Sequence, residues 1–112
     1  MNIQQTLQTN GVLVLQCQSE NLDASNVREF KDLMRPMVEK HPKIVFDMSG
    51  MKFVDSSGLG ALIACLRETN ARQGDLRLCQ LSNSVNALFV LMRMHRVFNI
   101  YDSKELAIAS FA

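Results

Sequence analysis

The chain has 112 residues, of which 47% are hydrophobic and 21% charged, and its formal net charge is +1. That length suits one domain with one core, and the balance excludes a disordered chain or a basic nucleic-acid-binding one. The longest apolar runs fall far short of the ~20 residues that a spanning helix needs, and Met1-Asn2-Ile3-Gln4-Gln5 lacks the basic and apolar regions of a secretory leader, so a cytoplasmic protein without membrane insertion is expected.

Ile3 to Thr9 alternates weakly and reads as a first strand, and Asn10-Gly11 is a hairpin-turn signal ahead of a buried second strand from Val12 to Cys17. Ser25 is the expected N-cap of a helix running to about Lys40, with Val27, Phe30, Leu33, Met34, Met37 and Val38 on one face. Pro36 inside that pattern predicts a kink or an early end. His41-Pro42 breaks the helix, and Lys43 to Asp47 is the third strand. A second helix is expected from near Ser57 to Gln73-Gly74, with Gly74 as its C-terminal cap. Leu76 to Leu81 is a fourth strand; Ser82 or Asn83 caps a third helix through Val85, Leu88, Phe89 and Met92. Val97 to Tyr101 is a short fifth strand, and Ser103 caps a last helix. The order β-β-α-β-α-β-α-β-α predicts an α/β domain with a mixed sheet of four to five strands, part of it parallel, and helices packed against it.

Three cysteines, Cys17, Cys65 and Cys79, are far apart, and no pair has zinc-knuckle or redox spacing. Buried reduced thiols are expected, with no metal or cofactor site.

The segment Val54-Asp55-Ser56-Ser57-Gly58-Leu59-Gly60 lies between the apolar strand Ile44 to Asp47 and the periodic run Leu59, Leu62, Ile63, Leu66. A strand, a loop and a helix in that order put a hydroxyl beside a carboxylate at a helix N-terminus. Free N–H groups and the helix dipole favour an anion there, and a phosphoserine at Ser56 would be one. By residue type alone Ser56 or Ser57 would serve equally well as a simple cap. Asp55 either orients the Ser56 hydroxyl or is a second cap. Met48, Met51 and Phe53 flank the segment. Adaptable apolar side chains suit a partner interface, but they would equally fill a core beneath the loop, and for Phe53 the core is the preferred expectation. Asp23 is expected to make an exposed contact, with turn chemistry as the alternative.

The run from Ile44 through Asp47-Met48-Ser49-Gly50-Met51-Lys52-Phe53-Val54-Asp55-Ser56-Ser57-Gly58-Leu59-Gly60 resembles the signature of STAS domains, most closely those of bacterial anti-sigma factor antagonists. The inferred element order also fits that fold across residues 1–112. The resemblance implies that Ser56 is phosphorylated by a dedicated serine kinase of the GHKL type that doubles as the anti-sigma factor, and that a serine phosphatase resets it. The family's Gly-Glu-Leu-Asp-like loop corresponds to Glu20-Asn21-Leu22-Asp23, which keeps Leu22 and Asp23 and departs at the first two positions. Asp23, Asp55, Ser57, Gly58, Met48 and Met51 are the implied partner-binding set around Ser56.

Phosphorylation would add about −1.5 to −2 charges, which the Gly58 and Leu59 amides would accommodate within the fold and a partner surface would not. A loss of ~3 kcal/mol weakens binding roughly a hundredfold, enough to exchange partners. The protein would be a substrate, not an enzyme. The rival reading keeps the fold and drops the cycle: a constitutive STAS module of a transporter or signalling scaffold. A serine hydrolase is disfavoured, because His41 and His95 sit in no recognisable motif and the Gly-x-Ser-x-Gly elbow is absent. A homodimer through the exposed edge of the first hairpin is a further option.

Overall fold

Short runs of β-branched and leucine residues supply five strands of one sheet, and longer amphipathic runs supply the helices that cover it. The computed structural model describes residues 1–111. In chain order the elements are β1 (Ile3–Leu7), β2 (Leu13–Cys17), β3 (Asn21–Leu22), α1 (Val27–Lys40), β4 (Lys43–Asp47), β5 (Phe53–Val54), α2 (Ser56–Ala71), β6 (Asp75–Cys79), α3 (Asn83–Leu91), a 3-10 turn (Met94–Arg96), β7 (Ile100–Tyr101) and α4 (Lys104–Ala109). The main sheet has the order β1-β2-β4-β6-β7. Its first pair is antiparallel, and the rest is parallel.

The two faces are covered unequally. Phe30, Met34, Met37 and Val38 of α1 and Leu59, Leu62 and Leu66 of α2 pack on Leu13, Leu15, Ile44, Phe46, Leu76 and Leu78. Phe30 meets Phe46 edge-on, with ring centroids 5.7 Å apart. On the opposite face, Val12, Val14, Val45 and Cys79 are covered by Ala107, with Tyr101, Ile108 and Phe111 around it. Ile44 to Asp47 is therefore buried on both faces, as a central parallel strand requires. β1 is an edge strand with Gln4 to Leu7 exposed.

Several local expectations change. Helix α1 runs through Pro36 to Lys40. Proline removes one hydrogen bond from the ladder, but Met34, Met37 and Val38 around it are buried, and that packing holds both halves in line. Asn26, not Ser25, precedes α1, because the Ser25 N–H and hydroxyl are both drawn to Asp23. At the end of α2, Gly74 N–H donates to Thr69 O and Gln73 N–H to Asn70 O, a Schellman closure whose left-handed residue is Gln73 at φ 69°. Gly74 is needed for another reason: a Cβ there would lie 2.1 Å from Pro42 O. Strand β6 ends at Cys79, since Gln80 turns to φ 58°. The fifth strand of the main sheet shrinks to Ile100–Tyr101 because Val97 and Phe98 close the 3-10 turn, both donating to Met94 O.

Strands β3 and β5 were not legible in the sequence, being two residues each, too short for any period to register. They pair in parallel as a separate small sheet, with Asn21 beside Phe53 and Leu22 beside Val54.

Candidate functional site

The small sheet seats the N-terminus of α2. Asp55 N–H donates to Leu22 O at 3.2 Å, carrying the β3–β5 pairing one residue further. Asp55 is also the N-cap: its Oδ1 accepts from Gly58 N–H at 2.9 Å, and its carbonyl accepts from Leu59 N–H at 2.9 Å. Its second oxygen accepts from Ala24 N–H at 3.1 Å. One carboxylate thus joins the first turn of α2 to the turn that follows β3. Gly58 makes the close approach sterically feasible, since a Cβ at that position would lie 2.2 Å from Leu22 O. Gly58 is buried, so its part in the site is to let the helix sit down on β3; it offers a partner nothing to touch.

Because Asp55 does the capping, neither serine has to. Ser56 and Ser57 are exposed in the first turn, and among the described residues neither hydroxyl has a hydrogen-bond partner. The amides expected to face an anion also change. Gly58 N–H and Leu59 N–H are both occupied by Asp55, which leaves the Ser56 and Ser57 N–H groups as the unbonded donors of the turn.

Asp23 lies in the adjoining turn. One of its oxygens accepts from Ser25 N–H at 2.9 Å and from the Ser25 hydroxyl, and the other accepts from Asn21 Nδ2 at 2.9 Å. Its own N–H donates to Asn26 Oδ1 at 3.0 Å, and Asn26 Nδ2 donates to Asn21 O at 2.8 Å. The Ser25 hydroxyl, then the Ser25 amide, hold the Asp23 carboxyl below the usual carboxylate range. Asp23 therefore builds the turn that presents Ala24 N–H to Asp55, the residue before Ser56, although that turn is far from it in sequence.

Met48 and Met51 do not belong to the surface. Each is 1% exposed and packs in the main core with Leu22, Val54 and Leu59. Met48 N–H donates to Cys79 O, extending the β4–β6 ladder, and Met51 N–H donates to Met48 O in a tight turn. Ser49 Oγ then accepts from Gln16 Nε2 and Lys52 N–H donates to Glu20 O, so the segment turns toward the end of β2 with both methionines inside. Phe53 reverses its expectation too. In an extended pair successive side chains point opposite ways; Val54 takes the inward position, and Phe53 is left 55% exposed.

The thiols are free and buried. Burial pushes Cys65 up to about 11, and burial together with the nearby Asp47 carboxylate pushes Cys79 up to about 12. His41 precedes β4 and Ser56 follows its far end, so a five-residue strand, roughly 16 Å long, lies between them. His95 lies in the 3-10 turn after α3 and hydrogen-bonds to neither serine. Among the described residues, neither histidine side chain makes a hydrogen bond to Ser56 or Ser57. No helix among the described residues is long and apolar enough to cross a membrane.

A mixed sheet entered by a hairpin, with a capped strand-loop-helix corner presenting two free serines, defines the architecture. Residues 4–107 match the STAS domain, and the chain belongs to the STAS family. It is 25% identical over 111 residues to the anti-sigma F factor antagonist of Paenibacillus polymyxa, covering 96% of this chain and 94% of that one. In fold it is similar to an anti-sigma-factor antagonist (STAS) domain protein from Planctomyces limnophilus, with a TM-score of 0.87 at 20% identity over 98% of each chain. It is also similar to the Bacillus cell fate determinant SpoIIAA in its phosphorylated form, with a TM-score of 0.72 at 20% identity over 99% of this chain and 100% of that one.

Proposed function

We propose that this protein is a cytoplasmic anti-sigma factor antagonist that works by partner switching, with Ser56 as its phosphoacceptor. The observation that carries the reading is the division of labour at the α2 N-terminus. Asp55 caps the helix, so the exposed Ser56 hydroxyl has no structural task and is available for modification. The similarity to named antagonists and to a phosphorylated relative supports the same reading.

In the unmodified state the surface around Ser56, Ser57, Asp23 and Asp55 binds a serine kinase of the GHKL type that also serves as the anti-sigma factor. The kinase transfers the γ-phosphoryl group of ATP to Ser56 Oγ; the O–H bond breaks, an O–P bond forms, the proton leaves to the kinase's base and ADP departs. Within the fold, the added dianion is stabilised by the free Ser56 and Ser57 N–H groups and by the α2 dipole. Asp55 cannot swing away from it, because both its oxygens are engaged. The interface therefore gains about two negative charges beside a fixed carboxylate, and the complex separates. Hydrolysis by a serine phosphatase returns the hydroxyl and inorganic phosphate. The protein itself catalyses nothing in this cycle.

The test is capture from native-host lysate with wild type, Ser56→Ala and Ser56→Asp as baits, with phosphate mapped on the recovered wild type. The expected result is a GHKL-type serine kinase held by wild type and Ser56→Ala, lost by Ser56→Asp, with phosphate on Ser56. Equal binding by all three baits and no modification of Ser56 would instead establish a constitutive module of a transporter or scaffold.

A further inference from the structure

Ser56 is an unusual target for a kinase cleft. It lies in the first turn of a sixteen-residue helix, not in an extended loop. The backbone around it is committed: Asp55 N–H to Leu22 O, Leu59 N–H to Asp55 O and Gly58 N–H to the Asp55 side chain. A kinase cannot thread this segment as a strand without unfolding the helix start. Recognition must come from the folded surface around the hydroxyl.

That surface contains an apolar strip. Phe53, three residues before Ser56, is 55% exposed, and Leu91 at the end of α3 is 80% exposed. The two are joined through α3, because Ser84 Oγ in its first turn donates to Lys52 O at 3.0 Å, beside Phe53. Ser84 and Leu91 are seven residues apart and so share one side of the helix, about 10 Å apart along its axis. Ala87 and Val90 are exposed on the neighbouring stripe. Beyond Leu91 the chain continues into exposed Arg93 and Arg96, and residues 83–101 contain no aspartate or glutamate. Exposed apolar side chains that begin three residues before the phosphoacceptor and end beside Arg93 and Arg96 have the make-up of a docking site.

Resting on Ser56 as the phosphoacceptor, we propose that the Phe53–Leu91 strip with Arg93 and Arg96 is the docking surface for the Ser56 kinase. The kinase would meet it with an apolar groove edged by carboxylates. Nearness to Ser56 selects this occupant, and the exposed Arg93 and Arg96 at the far end of the strip select the chemistry of its rim there.

The test uses the full chain and the native-host fraction that transfers phosphate from ATP to Ser56 of wild type but not of Ser56→Ala. Steady-state phosphorylation is compared for wild type, Phe53→Thr, Leu91→Gln and Arg93→Glu/Arg96→Glu. Leu106→Gln is the control: Leu106 is equally exposed, at 56%, but lies on α4 across the sheet. All these side chains are exposed, and thermal melts verify that the variants fold. The expected result is a KM raised about tenfold or more for each strip variant, with kcat unchanged, as for lost docking contacts, and no change for Leu106→Gln. If Ser56 is phosphorylated at wild-type KM in every strip variant, the docking surface is overturned and the phosphoacceptor reading stands. If no fraction phosphorylates Ser56, both fall. If wild type is a dimer in sedimentation and Leu91→Gln is a monomer, the strip is a self-interface and the kinase assignment is overturned.

Discussion

Asp55 and Gly58 show how two small residues determine the environment of Ser56. Asp55 satisfies one helix N–H and one loop N–H with a single carboxylate, so Asp55→Ala removes a cap and a tether together. A cost of about 2 kcal/mol is expected in urea unfolding, at the upper end for cap removal. Ser57→Ala has no such bond to lose and should stay within about 0.5 kcal/mol of wild type. Gly58→Ala puts a methyl group against the Leu22 backbone, which cannot rotate out of the way as a side chain would. A destabilisation of about 3 kcal/mol or more is expected in the same assay, from overpacking with backbone displacement. A Gly58→Ala protein with wild-type stability would mean that the α2 start is not seated on β3 as described.

Elements carry the next level of argument. Helix α1 contains an exposed proline in its interior, held in line by the burial of Met34, Met37 and Val38. Pro36→Ala restores one backbone hydrogen bond and relieves the ring's steric conflict with the preceding turn. Chemical denaturation should show a gain of about 1–3 kcal/mol. The hydrophobic period of α1 was legible in its sequence, and so was the Ser82 cap of α3, whose hydroxyl accepts from Val85 N–H. The Ser25 cap was misread because a residue-type rule cannot register that Asp23 already engages that serine. β3 and β5 escaped notice because a two-residue strand has no periodicity; only its partner reveals it.

For the whole molecule, burial of the thiols makes a pH prediction. The folded state holds Cys65 up to about 11 and Cys79 up to about 12, against an ordinary value of 9.0. Below pH 9 the thiols are neutral in both states and their preference for the fold is fully present. Above it the unfolded chain loses protons that the folded chain keeps, so stability falls as pH rises from about 9 through 11 to 12. Thermal melts across that range should show the decline, and Cys65→Ala/Cys79→Ala should flatten it. In the same way, a maleimide at pH 8 should label these positions slowly in native protein and fast in urea.

Composition, hydrophobic period and cap residues were enough to determine the α/β class, the order of the main-sheet strands and helices along the chain, and the Ser56 corner, because each depends on neighbours within a few positions; the two-residue strands β3 and β5 lay outside that reach. The strand-loop-helix pattern around Asp55-Ser56-Ser57-Gly58 was local in that sense and could be read directly. The tertiary structure alone decided which side chains reach the surface beside it. Met48 and Met51 turn inward in the tight turn that carries the chain from the end of β4 toward β2 and β3, and Phe53 turns outward because Val54 claims the inward side of β5. It also brought Asp23 and Ala24 to Asp55, through a parallel pair whose partnered residues, Asn21 with Phe53 and Leu22 with Val54, are 32 apart in sequence. Contacts of that range depend on chain packing, which no window of sequence contains.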